Sequence, residues 1–205
     1  MARAFAGAGA KRVYILGRRA KILESAASHH PNIIPVVCDV TSKAALQEAV
    51  DQVTKEIGYV NVVVANAGSY EGPIPGYNSN GTVQQLRESL FNGVSMEDFT
   101  KTFHDNMTSA FYTMLAFLEL LDAGNKQALE GTFGKPLKEE SKVPAIQSQV
   151  IFLGSIGCYS RFSFTPPSYV AAKSATVQLA KQAATNLAPY QIRVNVLAPG
   201  CKSLS

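Results

Sequence analysis

From Val60 to Ala65 the chain reads Val-Asn-Val-Val-Val-Ala, with Asn61 its one polar residue. The run is too short for a helix and lacks the polar alternation of a strand with one wet face. Such a strand is covered on both faces, as in a parallel sheet whose crossovers lay helices over it. The rest of the chain supplies alternating strands and helices. Strands are expected at Val13–Leu16, Ile33–Val37, Val60–Ala65, Val150–Leu153 and Ile192–Leu197. Helices are expected at Arg18–His29, closed by His30 and Pro31, and at Ser42–Ile57, where Ala45, Leu46, Ala49, Val50 and Val53 share one face. A longer helix is expected from Ser95, as N-cap, to Leu121, with Glu97 and Asp98 in its first turn, and another over Tyr169–Leu187. This alternation predicts an α/β fold with a parallel sheet, one domain over residues 1–205. Two stretches interrupt it. Tyr70–Asn92 is rich in Gly, Pro, Asn and Ser and reads as a loop with at most one short helix. The polar Asp122–Gln149 reads as an exposed insertion.

Composition narrows the function classes. The chain has 205 residues, 46% hydrophobic and 17% charged, as expected of one globular domain. Its net charge of +4 is not gathered into a basic tract, which argues against a nucleic-acid partner. No apolar run has membrane-spanning length. Cys38, Cys158 and Cys201 are scattered without metal-ligand spacing, so they read as thiols in a reducing compartment and no metal is expected. The Ala-rich opening with Arg3, Lys11 and Arg12 is too short for a targeting peptide and runs straight into a strand, so the expected location is the cytoplasm.

Tyr169 and Lys173 stand four apart on an expected helix, so the phenol and the ammonium share a face. A tyrosine pKa near 10 is too high for proton exchange at neutral pH, and a nearby cation lowers it. Such a pair can give or take a proton at a carbonyl or alcohol oxygen. Around it lie Ser155, at the carboxyl end of an expected strand where open α/β sheets bind ligands; Asn66-Ala67-Gly68, directly after Val60–Ala65; and Pro199-Gly200, after the last strand.

Taken in this order, Asn-Ala-Gly, Ser, Tyr-x-x-x-Lys and a terminal Pro-Gly resemble the classical short-chain dehydrogenase/reductase family over nearly the whole chain. The resemblance implies a Rossmann-like, doubly wound parallel sheet and hydride transfer between a nicotinamide cofactor and a small ketone or secondary alcohol. Tyr169 is then the acid/base, Lys173 lowers its pKa and holds the nicotinamide ribose, and Ser155 bonds the substrate oxygen. Asn106, in His104-Asp-Asn106-Met, matches an asparagine that supports a water-linked proton relay; its plainer reading is a polar residue satisfied inside a helix. Asp39 and Val40 match an adenine-contacting pair, with helix capping the plainer role for Asp39. Asn66, Ala67 and Gly68 fall beside the adenosine ribose, and Pro199 and Gly200 at the nicotinamide.

Gly17 stands where NAD-preferring members carry an acidic residue, and Arg18 follows it. A guanidinium there suits the extra phosphate of NADP, so NADPH is the expected cofactor and NAD the alternative. The sequons Asn80-Gly-Thr82 and Asn106-Met-Thr108 carry no meaning in a cytoplasmic chain.

The resemblance also implies departures. Ala2 to Ala6 match the middle of the family's first helix, which leaves out the first strand with its glycine-rich turn; Gly7-Ala-Gly9-Ala10 precedes a strand instead of following one. After Gly200 the chain runs only through Cys201, Ser203 and Leu204 to Ser205, short of the family's last strand. Without the phosphate-binding turn the cofactor should bind weakly, and the strand edges should be open. Two functions follow: a reductase assembled as a homodimer or homotetramer, or an inactive relative that binds partners through the helices beginning at Ser95 and Tyr169.

Overall fold

The computed structural model describes residues 1–74, 76–78, 80–161 and 165–200. Cys201, Ser203 and Leu204 lie outside them. The chain divides into two compact units, Met1–Ile57 and the residues from Gly58 onward.

The first unit runs α1 (Ala2–Gly7), β1 (Val13–Gly17), α2 (Ala20–Ala27), β2 (Ile33–Val37) and α3 (Lys43–Glu56). β1 and β2 pair in parallel, Val13 opposite Ile33 and Gly17 opposite Val37. Leu46, Ala49 and Val53 of α3 are buried, the stripe their helical spacing predicts. Ser42 caps α3 by accepting the Ala45 N–H at 3.3 Å. Arg12 and Tyr14 both bond the Glu56 carboxylate, at 2.8 and 2.9 Å. α2 is shorter than the expected Arg18–His29, because Arg19 is extended at φ −102° and carries no side-chain cap bond.

The second unit runs β3 (Val62–Ala65), α4 (Val83–Arg87), α5 (Met96–Phe103), α6 (Ser109–Ala116), α7 (Leu118–Leu129), β4 (Gln149–Leu153), α8 (Pro167–Leu187) and β5 (Arg193–Leu197). Its three strands are parallel in the order β3-β4-β5. Val150 and Phe152 of the central strand are wholly buried. Among the described residues β1 pairs only with β2, and β3 only with β4, so each keeps one open edge.

Three expectations are corrected here. The strand expected from Val60 starts at Val62: the Val60 N–H donates to the Leu120 carbonyl at 2.9 Å instead of to the sheet, and the Asn61 carbonyl, accepting the Gln149 N–H at 2.8 Å, makes the first bond to β4. The helix expected over Ser95–Leu121 is three helices, with a wide π turn at His104–Thr108 and a break at Phe117 (φ −97°, ψ 6°). The insertion expected to be exposed from Asp122 begins as part of α7, where Gly124, Asn125 and Ala128 are buried. Gly124 is needed there, because a Cβ would lie 2.3 Å from the Val60 carbonyl oxygen. Asn125 ties down three backbone groups: its Nδ2 donates to the Tyr190 and Gln191 carbonyls at 3.2 and 3.1 Å, and its Oδ1 accepts the Ser148 N–H at 2.7 Å.

Candidate active site

The site in the second unit starts where β3 ends. Asn66, Ala67 and Gly68 are exposed just past Ala65, the Asn66 N–H turning back to the Val64 carbonyl at 2.9 Å. Gly68 is pressed against two chemistry-bearing groups. A Cβ on it would lie 2.4 Å from Asn106 Oδ1 and 3.4 Å from Lys173 Nζ.

Asn106 occupies the π turn between α5 and α6, a helical irregularity frequent at functional sites. It is 1% exposed. Its Nδ2 donates to the Ser69 and Thr102 carbonyls, both at 3.0 Å. Among the described residues its Oδ1 accepts no hydrogen bond, although a buried acceptor without a partner is costly. The plainer reading, a polar residue satisfied within a helix, thus accounts for the amide nitrogen and not for the oxygen.

β4 delivers Ser155 at its carboxyl end. The half-buried hydroxyl accepts the Gly157 N–H at 3.1 Å, capping the short turn Ile156–Cys158. Ser160, the other serine near Tyr169, is exposed. α8 begins two residues before Tyr169 with Pro167, a residue suited to a first turn where no N–H partner exists. Tyr169 is half-buried, and Lys173, one turn on, is buried. The Lys173 Nζ lies 5.8 Å from the centre of the Tyr169 ring and donates to the Leu153 carbonyl at 3.0 Å. Burial pushes the ammonium below its ordinary pKa, offset in part by Cys158. The exposed Pro199 and Gly200 follow β5, and the Pro199 carbonyl accepts the Ile156 N–H at 3.1 Å.

The first unit holds the other expected cofactor residues. Arg18 is exposed in the turn between β1 and α2, beside a helix start without a side-chain cap. The Asp39 carboxylate accepts the Thr41 N–H and hydroxyl at 3.0 and 2.7 Å, in a turn that precedes α3. Since Ser42 is the cap, Asp39 does not have that role. Val40 is half-buried.

Three residues of the site escaped the sequence reading. Ser69 donates its hydroxyl to Asp105 at 3.0 Å, and Lys101 pairs with the same carboxylate at 2.5 Å. Burial raises the Asp105 pKa, but the bonds from Lys101 and Ser69 and the lysine charge outweigh it and hold the carboxyl below its ordinary value. Tyr70 meets Tyr169 edge to face. Asp105 adjoins Asn106 in the sequence, the one signal that could have found it; Ser69 and Tyr70 carry none. Asn106 of the second sequon is buried, and Thr82 of the first caps α4. No helix among the described residues is long and apolar enough to cross a membrane.

The family described as short chain dehydrogenase matches residues 1–129 and 142–203. The short-chain dehydrogenase/reductase SAT3 of Stachybotrys chartarum is 58% identical over 201 residues, covering 98% of this chain and 73% of that protein. VdtF of Byssochlamys spectabilis, another short-chain dehydrogenase/reductase, is 39% identical over 98% of this chain and 68% of its own length. Among solved structures, a short-chain type dehydrogenase/reductase from Mycobacterium marinum superposes with a TM-score of 0.73 at 25% identity, over 97% of this chain and 68% of that one. The folds agree in their parallel sheet and flanking helices, which makes the architecture Rossmann-like. The chain belongs to the short-chain dehydrogenase/reductase family of oxidoreductases.

Proposed function

We propose that the protein reduces a ketone, or oxidises a secondary alcohol, with Tyr169 as acid/base and NADPH as its preferred cofactor. The observation that carries the proposal is the buried Lys173 one helical turn from Tyr169. In this reading the lysine cation favours the Tyr169 phenolate and so brings its proton within reach of exchange near neutrality. Ser155 still has its own O–H to donate after accepting from Gly157, and that bond stabilises charge developing on the substrate oxygen. Asn106 Oδ1, buried and without a hydrogen-bond partner among the described residues, suits a water that passes protons toward Lys173.

The residues fit a nicotinamide dinucleotide. Gly68 has no room for a side chain toward Asn106, while Asn66 to Gly68 leave exposed backbone at a strand's carboxyl end, where cofactors of such sheets bind. Lys173 would hold the nicotinamide ribose, Pro199 and Gly200 the nicotinamide, and Asn66, Ala67 and Gly68 the adenosine ribose side. Asp39 and Val40 would contact adenine. Arg18 and the uncapped start of α2 would take the 2′-phosphate, which supports NADPH over NADH. When bound, the cofactor supplies the hydride. The same reading makes the protein a cytoplasmic homodimer or homotetramer, supported by the apolar side chains that α5 leaves exposed, Met96 and Phe99. Titration with NADPH, followed by its consumption in the presence of ketones, tests the proposal; a chain that binds NADPH and consumes none with any ketone would overturn it.

A further inference from the structure

Tyr70 lies two residues past Gly68 and is 53% exposed, yet its ring packs against Tyr169 with centroids 5.1 Å apart and planes at 76°. A tyrosine half in water and half against the acid/base ring is not a core residue. The backbone that presents it is held on both sides of Ser69. The Ser69 hydroxyl donates to Asp105, and the Ser69 carbonyl accepts from Asn106. Next to Ser155 stands a second apolar surface. Ile156 is 51% exposed, with its Cδ1 3.4 Å from where a Cβ of Gly200 would be. An aromatic ring thus packs on the Tyr169 ring, and an exposed aliphatic side chain directly follows Ser155, the two residues whose hydroxyls would meet a substrate oxygen. A polyhydroxylated substrate would leave both surfaces without a complement, whereas a flat ring offers each of them contact area.

We infer that Tyr70 is a specificity-determining residue of this site, and that the substrate class it selects is a planar aromatic or conjugated ketone. The inference rests on the proposed oxidoreductase reading for its chemistry. Ring–ring contacts favour offset or edge-to-face geometry. Tyr70 already makes one such contact with Tyr169, and the rest of its exposed ring is left for a planar ligand.

The test uses the full chain with NADP⁺ present, and the probes are naphthol and cyclohexanol in binding, tetralone and cyclohexanone in turnover. Wild type should bind naphthol more tightly than cyclohexanol. Tyr70→Ala should lower that preference by about tenfold, near the upper end of what one ring contact supplies. Tyr70→Leu, which keeps bulk without a ring, should behave like Tyr70→Ala. Tyr70→Phe should keep the preference. The kcat/KM ratio of tetralone to cyclohexanone should fall in parallel. Naphthol binding that depends on Tyr70 in a protein that turns over neither ketone would count against the hydride-transfer reading and the ketone chemistry, and would leave standing the selection of a planar ring by Tyr70. No preference for naphthol in the wild type, or the same preference in Tyr70→Ala and Tyr70→Leu, would overturn it.

Discussion

Gly68 and Asn106 are in contact so close that a single added methyl group would sit 2.4 Å from the asparagine oxygen. Asn106 is buried and held by two bonds from its nitrogen, so it cannot swing away without breaking them. Gly68→Ala should therefore displace Asn106 and destabilise the fold by about 1–3 kcal/mol, as overpacking does. Urea denaturation reads the stability, and the same variant should show weakened NADPH binding by calorimetry.

Tyr169→Phe should remove nearly all ketone reduction while NADPH binding stays close to normal. Near-unchanged turnover would take Tyr169 out of the mechanism. Ser155→Ala should slow turnover by about 10²–10³, the loss seen when one donor to an oxyanion is removed. Steady-state kinetics with separate cofactor titrations distinguishes the two.

Arg18→Ala should weaken NADPH far more than NADH, because only the former carries the extra phosphate. A second change, Gly17→Asp, should add repulsion against that phosphate and turn the preference toward NADH. Dissociation constants for both cofactors check this, and equal weakening of both would assign Arg18 a structural role.

Asp105 makes stability depend on acid. Its folded pKa lies below the unfolded value of about 3.9, so its contribution is complete above that pH and is lost as pH falls through the lower folded value. Asp105→Asn should show no such loss. The difference in unfolding free energy between wild type and variant, measured by denaturant titration, should therefore be constant at neutral pH and shrink in strong acid.

Asn125→Leu, similar in size, should leave the Ser148 N–H and the Tyr190 and Gln191 carbonyls without their partner. The buried Ser148 N–H so orphaned costs about 1–3 kcal/mol, and the two half-buried carbonyls cost less because water reaches them. A loss below about 1 kcal/mol in chemical denaturation would mean that water replaces the amide.

What the sequence makes legible here follows the range of the forces involved. The strands are found within one or two residues, because an apolar run bounded by turn residues is a local signal. Tyr169 and Lys173 are legible for the same reason, since four residues on a helix set their spacing. The continuation of α7 past Leu121 was hidden. The face it buries carries Gly124 and Asn125, small or polar residues chosen by the Val60 backbone and by three distant peptide groups. Ser69, Tyr70 and Asp105 were hidden too. Their partners lie far along the chain, and no periodicity announces such pairs.

The amide of Asn125 also decides how this protein tolerates variation in length. By joining the helix before the polar stretch to the Ser148 N–H that leads into β4, it closes the loop at its root, 2.7 Å across. Closure entropy grows only slowly with loop length, and a second closure lies further out, where the Leu137 N–H donates to the Val143 carbonyl and the Ala145 N–H to the Lys135 carbonyl. The family match skips residues 130–141, within this stretch. Peptide tags or reporter domains placed at the exposed tip between Lys138 and Lys142 should therefore leave both ends of the second unit's sheet in register.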